Sequence, residues 1–406
     1  MQDRCENNMD GRRLRWQISA PFRLRSKNRN QQFIQRIYIM AFESGSISCR
    51  MFTMPRKLPE DVVERFAKDA APPLETIAEG EVKGWVTGRH LLDRNITEET
   101  AYYGGYLRLS LRLAEKKVPQ SLLRAECRME ELAVMAAEDK PFLKSQQRAE
   151  IRKSVHERLL PSMPPQLKAM PFICRPESRY LYASALSAKQ SDQFASSLGS
   201  TLGFNVFPLT PETAAAERKK VDARDWSGTS FTPDLEDNEM ESQPGREFLT
   251  WLWFVAEAQE GTIYLEEQGQ VHVLIEGPLT FVHEGNGAHI SVLRQGEPVN
   301  SAEARTCLLS GKKLKSAKVT FAIGEENWKV TLDADEFVLR GLTVPQSEDH
   351  LDPISRFQER MQGLEKFSDM YFGLYDVFMD LRSDSNRWKK TRDAIREWVK
   401  SRKGRS

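Results

Sequence analysis

The chain lacks the usual motifs for metal, nucleotide and nucleophilic chemistry. No CxxC pair, Walker A loop, GxGxxG after a strand, GxSxG or HExxH occurs, so zinc, redox, nucleotide-driven and triad chemistry have no support in the sequence. Cysteine is scarce: Cys5, Cys49, Cys127, Cys174 and Cys307 are odd in number and far apart, which points to a reducing compartment, the cytoplasm. The longest apolar run, in "EFLTWLWFVAEA", is too short to cross a bilayer. The formal net charge is only +1, so contact with a polyanion has to come from uneven distribution of charge. With 406 residues, 40% hydrophobic and 29% charged, the chain can build two or three domains with real cores.

Residues 1–40 are rich in Arg and Asn without periodicity, and read as a disordered basic extension with Met40 as the natural start; the alternative is a basic arm for nucleic acid. Residues 41–210 form an N-terminal α/β region. "SGSISCRMF", "VKGWVTG" and "AYYGGYLRLSLRL" read as strands, and "LPEDVVERFAKDA" as a helix through Val62, Val63 and Phe66. The region includes a helical pair over 119–160, with Leu122, Met129, Leu132, Val134 and Met135 expected on the buried side of its first helix. "RYLYASALSAKQSDQFASSLGSTLGFNVFPL" reads as strand, helix and strand, the helix ending at Gly203.

Residues 211–246 hold five acids from Asp234 to Glu241 and read as an acidic linker or loop. Residues 247–346 form a C-terminal α+β region. It opens on a helix whose Trp251, Trp253 and Phe254 are expected in the core, and continues through strands "GTIYLEE", "QVHVLIEG" and "AHISVLR" and a helix capped by Ser301 and Gly311. Residues 347–382 are a helical region, and 383–406 a basic C-terminal tail, whose segment from Ser385 carries nine Lys or Arg against Asp393 and Glu397. The fold class is α+β, with mixed and antiparallel sheets and packed helices.

Two basic clusters are candidate phosphate contacts. In "LLSGKKLKSAKVTFA", Lys312, Lys313, Lys315 and Lys318 fall within seven residues, and no acid occurs from Ala304 to Gly324. Alternation puts Ala317, Val319 and Phe321 on one face and Lys318 and Thr320 on the other, with the first three lysines in a loop between helix and strand. In the second helix of the pair, Arg152, Lys153 and Arg158 form either one wall of a basic groove or a solvated face with ion pairs to Glu150 and Glu157. A nuclease would need clustered carboxylates near a lysine. "TPDLEDNEME" has no such lysine, and Glu81 with Lys83 in "EGEVKGW" is a triplet that arises often by chance.

Several stretches in order resemble the bacterial recombination-associated protein RdgC family. They are "GWV" at Gly84, "EKKVPQSLL" at Glu115, "HERLLPSMPPQLKAMPFICRPESRYLYASALSAKQSDQFASSLGSTLGFNVFPL" at His156, and "VNSAEARTCLLSGKKLKSAKVTFAIGEENWKVTLDADEFVLRGLTV" at Val299. The resemblance runs from Phe42 to Leu381 apart from the acidic insert; the N-terminal extension and basic tail look like additions. Where some members carry an aromatic after Leu-Leu-Pro, Ser162, Met163 and Pro164 stand here.

The resemblance implies a horseshoe-like subunit that closes into a ring homodimer with a basic inner surface around double-stranded DNA, and single-stranded DNA as a further form. It also implies antagonism of a RecA-type recombinase and nucleoid association. From the missing motifs and the short apolar run, no cofactor, no metal and no membrane contact are expected, and the leading reading is non-enzymatic. Two other classes stay open at this point, a metal-dependent DNA exonuclease and a protein-interaction scaffold.

Overall fold

A computed structural model describes residues 41–232, 242–283, 289–346 and 352–401. The readings of residues 1–40, of the acids from Asp234 to Glu241 and of the last five residues lie outside them. The strands are β1 (Ile47–Thr53), β2 (Glu81–Thr87), β3 (Tyr102–Tyr103), β4 (Tyr106–Glu115), β5 (Gln166–Cys174), β6 (Tyr180–Ala183), β7 (Phe207–Pro208), β8 (Thr262–Leu265), β9 (Gly269–His283), β10 (Ile290–Leu293), β11 (Lys312–Ile323), β12 (Glu326–Asp333) and β13 (Val338–Thr343). The helices are α1 (Val62–Lys68), α2 (Glu98–Ala101), α3 (Gln120–Ala137), α4 (Ser145–Leu159), α5 (Ala188–Leu202), α6 (Pro211–Lys219), α7 (Pro244–Ala258), α8 (Ala302–Leu309), α9 (Pro353–Ser383) and α10 (Ser385–Ser401). The protein is α+β.

All the strands belong to one open sheet in the order β10-β9-β11-β12-β13-β1-β6-β5-β4-β2, with β3, β7 and β8 paired onto β4, β1 and β9. Every paired strand runs antiparallel to its neighbour. β1 is the joint: Ile47 and Cys49 pair with β13, while Arg50 to Thr53 pair with β6. Because successive side chains point to opposite faces, Ile47, Cys49 and Met51 enter one core and Phe52 enters another. The first core holds α7, α9 and α10 against β9, β11 and β12; the second holds α1 and α5 against β4, β5 and β6. The helical layers therefore lie on opposite faces, and each leaves the other half of the sheet to different neighbours.

The second core is built on Trp85. Its ring meets Phe66, Phe172 and Phe194 edge-on, and its indole N–H donates to Thr201 at 2.9 Å. Gly84 beside it is obligatory, since a Cβ there would overlap the backbone of Ala71. Trp85→Ala is expected to cost about 3–5 kcal/mol, the usual range for emptying an aromatic site, which a urea titration would read as a lower midpoint at unchanged slope.

Three sequence readings need correction. The stretch expected as a linker from 211 is packed as far as Thr232. α6 is capped by Thr210, buries Ala214 and Ala215, and ties itself to α9 through Arg218–Asp376 and Lys219–Asp380. The expected basic tail is largely the helix α10, whose Trp388, Ile395 and Val399 recur at helical spacing on a buried face while its cations stay outside. In the α3–α4 hairpin, Met129 and Leu132 are exposed rather than buried. The hairpin packs chiefly on itself, around Val118, Leu123, Val155 and Leu160, and that small core covers only a narrow stripe of α3.

Candidate nucleic-acid interface

The four lysines of the 312–318 stretch do not share a surface. Gly311, at φ +85°, turns α8 directly into β11, so Lys312, Lys313 and Lys315 lie in the strand rather than in a loop. Lys312 pairs across from His283 and donates to Ser291 Oγ at 2.6 Å. Lys313 points into the first core at 2% exposure, 3.5 Å from Glu247 and over the ring of Phe231. It cannot reach a phosphate. Lys315 joins Arg246 on the Asp335 carboxylate. Burial works against the Asp335 charge, but hydrogen bonds from Arg246 and Lys315 outweigh it and hold the carboxyl below its ordinary value. Lys318 alone sits on the opposite face, 3.1 Å from Glu276.

The helical cations are also engaged. Arg158 reaches across to Glu126 and Glu130 on α3, Lys153 lies 3.9 Å from Glu157, and Arg152 donates to Gln120 at 3.5 Å. This is the solvated, ion-paired face that the spacing allowed.

The structure assembles a different surface around Lys318. In β11, Ala317, Val319 and Phe321 are fully buried; in β12, Trp328, Val330 and Leu332 are; in β13, Leu339 and Leu342 are. The residues between them face away from the helices. Register places Lys318 opposite Thr331 and Thr331 opposite Arg340, and in the next row Thr320 opposite Lys329 and Lys329 opposite Thr343. Two adjacent cross-strand rows thus carry three cations, of which Lys318 is paired with Glu276, and the hydroxyls of Thr331 and Thr343, while the Thr320 hydroxyl is buried.

Arg340 comes into line through an irregularity in the β12–β13 register at Lys329/Thr331. Gly341, at φ +63°, accommodates it and donates its N–H to Ser48 Oγ at 2.9 Å. Among the described residues neither Lys329 nor Arg340 has an ion-pair partner; Arg340 only donates to the Leu186 carbonyl at 3.5 Å. Cations and hydroxyls of this kind can contact phosphate oxygens without reading bases.

Lys329, Arg340 and Thr343 do not stand out in the sequence. The signal for Lys329 is the alternation of "WKVTL"; for Arg340 it is hidden by the register shift. The Glu81–Lys83 triplet lies at the start of the edge strand β2, where Gln193 donates to Glu81 at 2.7 Å. Among the described residues no group of three or more His, Cys, Asp or Glu is placed to hold a metal ion, and no helix is long and apolar enough to span a membrane.

One open antiparallel sheet with helices on both faces and an exposed row of cations defines an α+β protein with a surface suited to a polyanion. Residues 48–220 match the family model described as "Putative exonuclease, RdgC". The match supports assignment of the chain to the RdgC family and, in general terms, a nucleic-acid-binding protein associated with recombination. It spans β1 to α6; the cationic rows of β11 to β13 lie beyond it. No curated protein matches the sequence.

Proposed function

We propose that this protein binds duplex DNA without sequence preference, that it has no catalytic role, and that it acts as a homodimer encircling DNA and limiting access of a RecA-type recombinase. The observation that carries the reading is the pair of rows Lys318–Thr331–Arg340 and Lys329–Thr343, fixed by strand register on a rigid sheet. Donors held on strands can be aimed at successive phosphates, and none of them requires a base edge. The family match adds the recombination context.

Support for self-association comes from the α3–α4 hairpin, which exposes Met129, Leu132 and, at 67%, Phe142. Exposed large apolar side chains on one hairpin suit an interface. The mass in solution is expected to be that of a dimer, and Met129→Ser/Leu132→Ser/Phe142→Ser to yield monomer with its far-ultraviolet signal retained. A dimer surviving the triple change would move the interface elsewhere. Incubation with labelled linear duplex and Mg²⁺ or Mn²⁺ is expected to leave the DNA intact; degradation lost on mutation of a carboxylate would replace the binding role with an exonuclease.

A further inference from the structure

Two residues of β9 have no counterpart in β11. Leu279 pairs with Ala317 and the next pair along is Glu276 with Lys318, so Gly277 and Pro278 are bulged out of the register. In an unbroken ladder Pro278 would stand across from Lys318; the bulge puts a carboxylate there instead. One Glu276 oxygen lies 3.1 Å from Lys318 Nζ. The bulge is braced from outside, where the ring of Pro298 packs so closely on Gly277 that a Cβ at 277 would overlap it.

The pair stands at the rim of the cationic face. In the row Glu276–Lys318–Thr331–Arg340 and its neighbour Leu274–Thr320–Lys329–Thr343, Glu276 is the only acid. Lys318 shares its side of the sheet with Lys329 and Arg340, and differs from them in having this acid beside it. The side chains of Lys318 and Glu276 are 40% and 31% exposed, so a phosphate can approach them. A phosphate drawn to Lys318 meets the Glu276 carboxylate at the same place, and the two opposite charges cancel for it.

We propose that Glu276 is an autoinhibitory contact on the DNA face: it neutralises Lys318, keeps that cation from a phosphate, and holds affinity below what the three cations could reach. The inference rests on the reading of this face as the DNA surface. A protein that binds without sequence preference draws its affinity from phosphate contacts. One neutralised cation therefore sets how tightly it holds any duplex.

The test is fluorescence anisotropy of a labelled duplex of arbitrary sequence with the full chain, across a salt series. Glu276→Gln keeps the shape of the side chain and removes its charge, and an exposed ion pair contributes little to folding. This variant is expected to bind roughly tenfold more tightly at ~0.1 M salt, with a slope of log affinity against log salt steeper by about one, as one added phosphate contact requires. Lys318→Ala/Glu276→Gln, which removes both members, is expected to match the parent in affinity and slope. If the double variant binds as tightly as Glu276→Gln alone, the gain does not come through Lys318 and the proposal is overturned. Parent affinity in Glu276→Gln, alongside a loss in Lys329→Ala/Arg340→Ala, would overturn it as well while leaving DNA on this face. No response to any of these changes would overturn both the proposal and the placement of DNA here.

Discussion

Replacing Glu247 with alanine is expected to destabilise the protein by about 3–5 kcal/mol, the range for breaking a buried ion pair by removing one member. Glu247 is fully buried on α7. One carboxylate oxygen accepts from Arg382 Nε at 2.8 Å; the other accepts from the Thr229 backbone N–H at 3.2 Å and lies 3.5 Å from Lys313 Nζ. Glu247 thus faces two buried cations, and Arg382 is also packed over Trp226 and Trp388. Alanine would take that carboxylate away from both buried charges. The midpoint of urea unfolding reads the loss directly, and an unchanged midpoint would show that the cluster is not what holds α7, β11 and α9 together. Lys313→Met keeps the volume and removes only one cation, so its midpoint is expected to fall less. Its affinity for DNA should match that of the parent, because the side chain never reaches the surface.

Lys329→Ala/Arg340→Ala is expected to lower affinity for duplex DNA about a hundredfold at ~0.1 M salt, roughly tenfold for each cation withdrawn from a phosphate. The fall should be the same for unrelated sequences, as it must be if these cations meet phosphate. Both side chains are exposed and, among the described residues, unpaired by acids, so their removal should leave stability within about 0.5 kcal/mol. Arg158→Ala serves as the contrasting change. Its guanidinium is already occupied by Glu126 and Glu130, and little effect on affinity is expected. A selective loss for one sequence would instead indicate base readout on this face.

Local pattern carried much of this fold. Strand alternation in "AKVTFAI" and "WKVTL", the dense aromatic run of α7 and the capped helix at Ser301 all appear where the residue periods put them, because period and burial agree there. What failed were the places where tertiary packing decides. α10 looks like a tail because its cations outnumber its apolar residues, yet three well-spaced apolar side chains suffice to anchor it. α3 looks like a core helix because nothing local tells whether a sheet or only a second helix covers its apolar side. The lysine stretch misleads for a related reason. Lys313 is one residue out of phase with the strand's polar face, and its buried partner Glu247 lies far away in sequence, so charge density alone could not separate a core ion pair from a surface cation.

The most direct measurement is the slope of log affinity against log salt for a duplex of arbitrary sequence, in the parent and in Lys329→Ala/Arg340→Ala. If the open face of β11, β12 and β13 holds the phosphates, the slope should become shallower by about 2, close to one for each cation removed. A slope unchanged by the double replacement would contradict that placement and move the DNA to another part of the molecule.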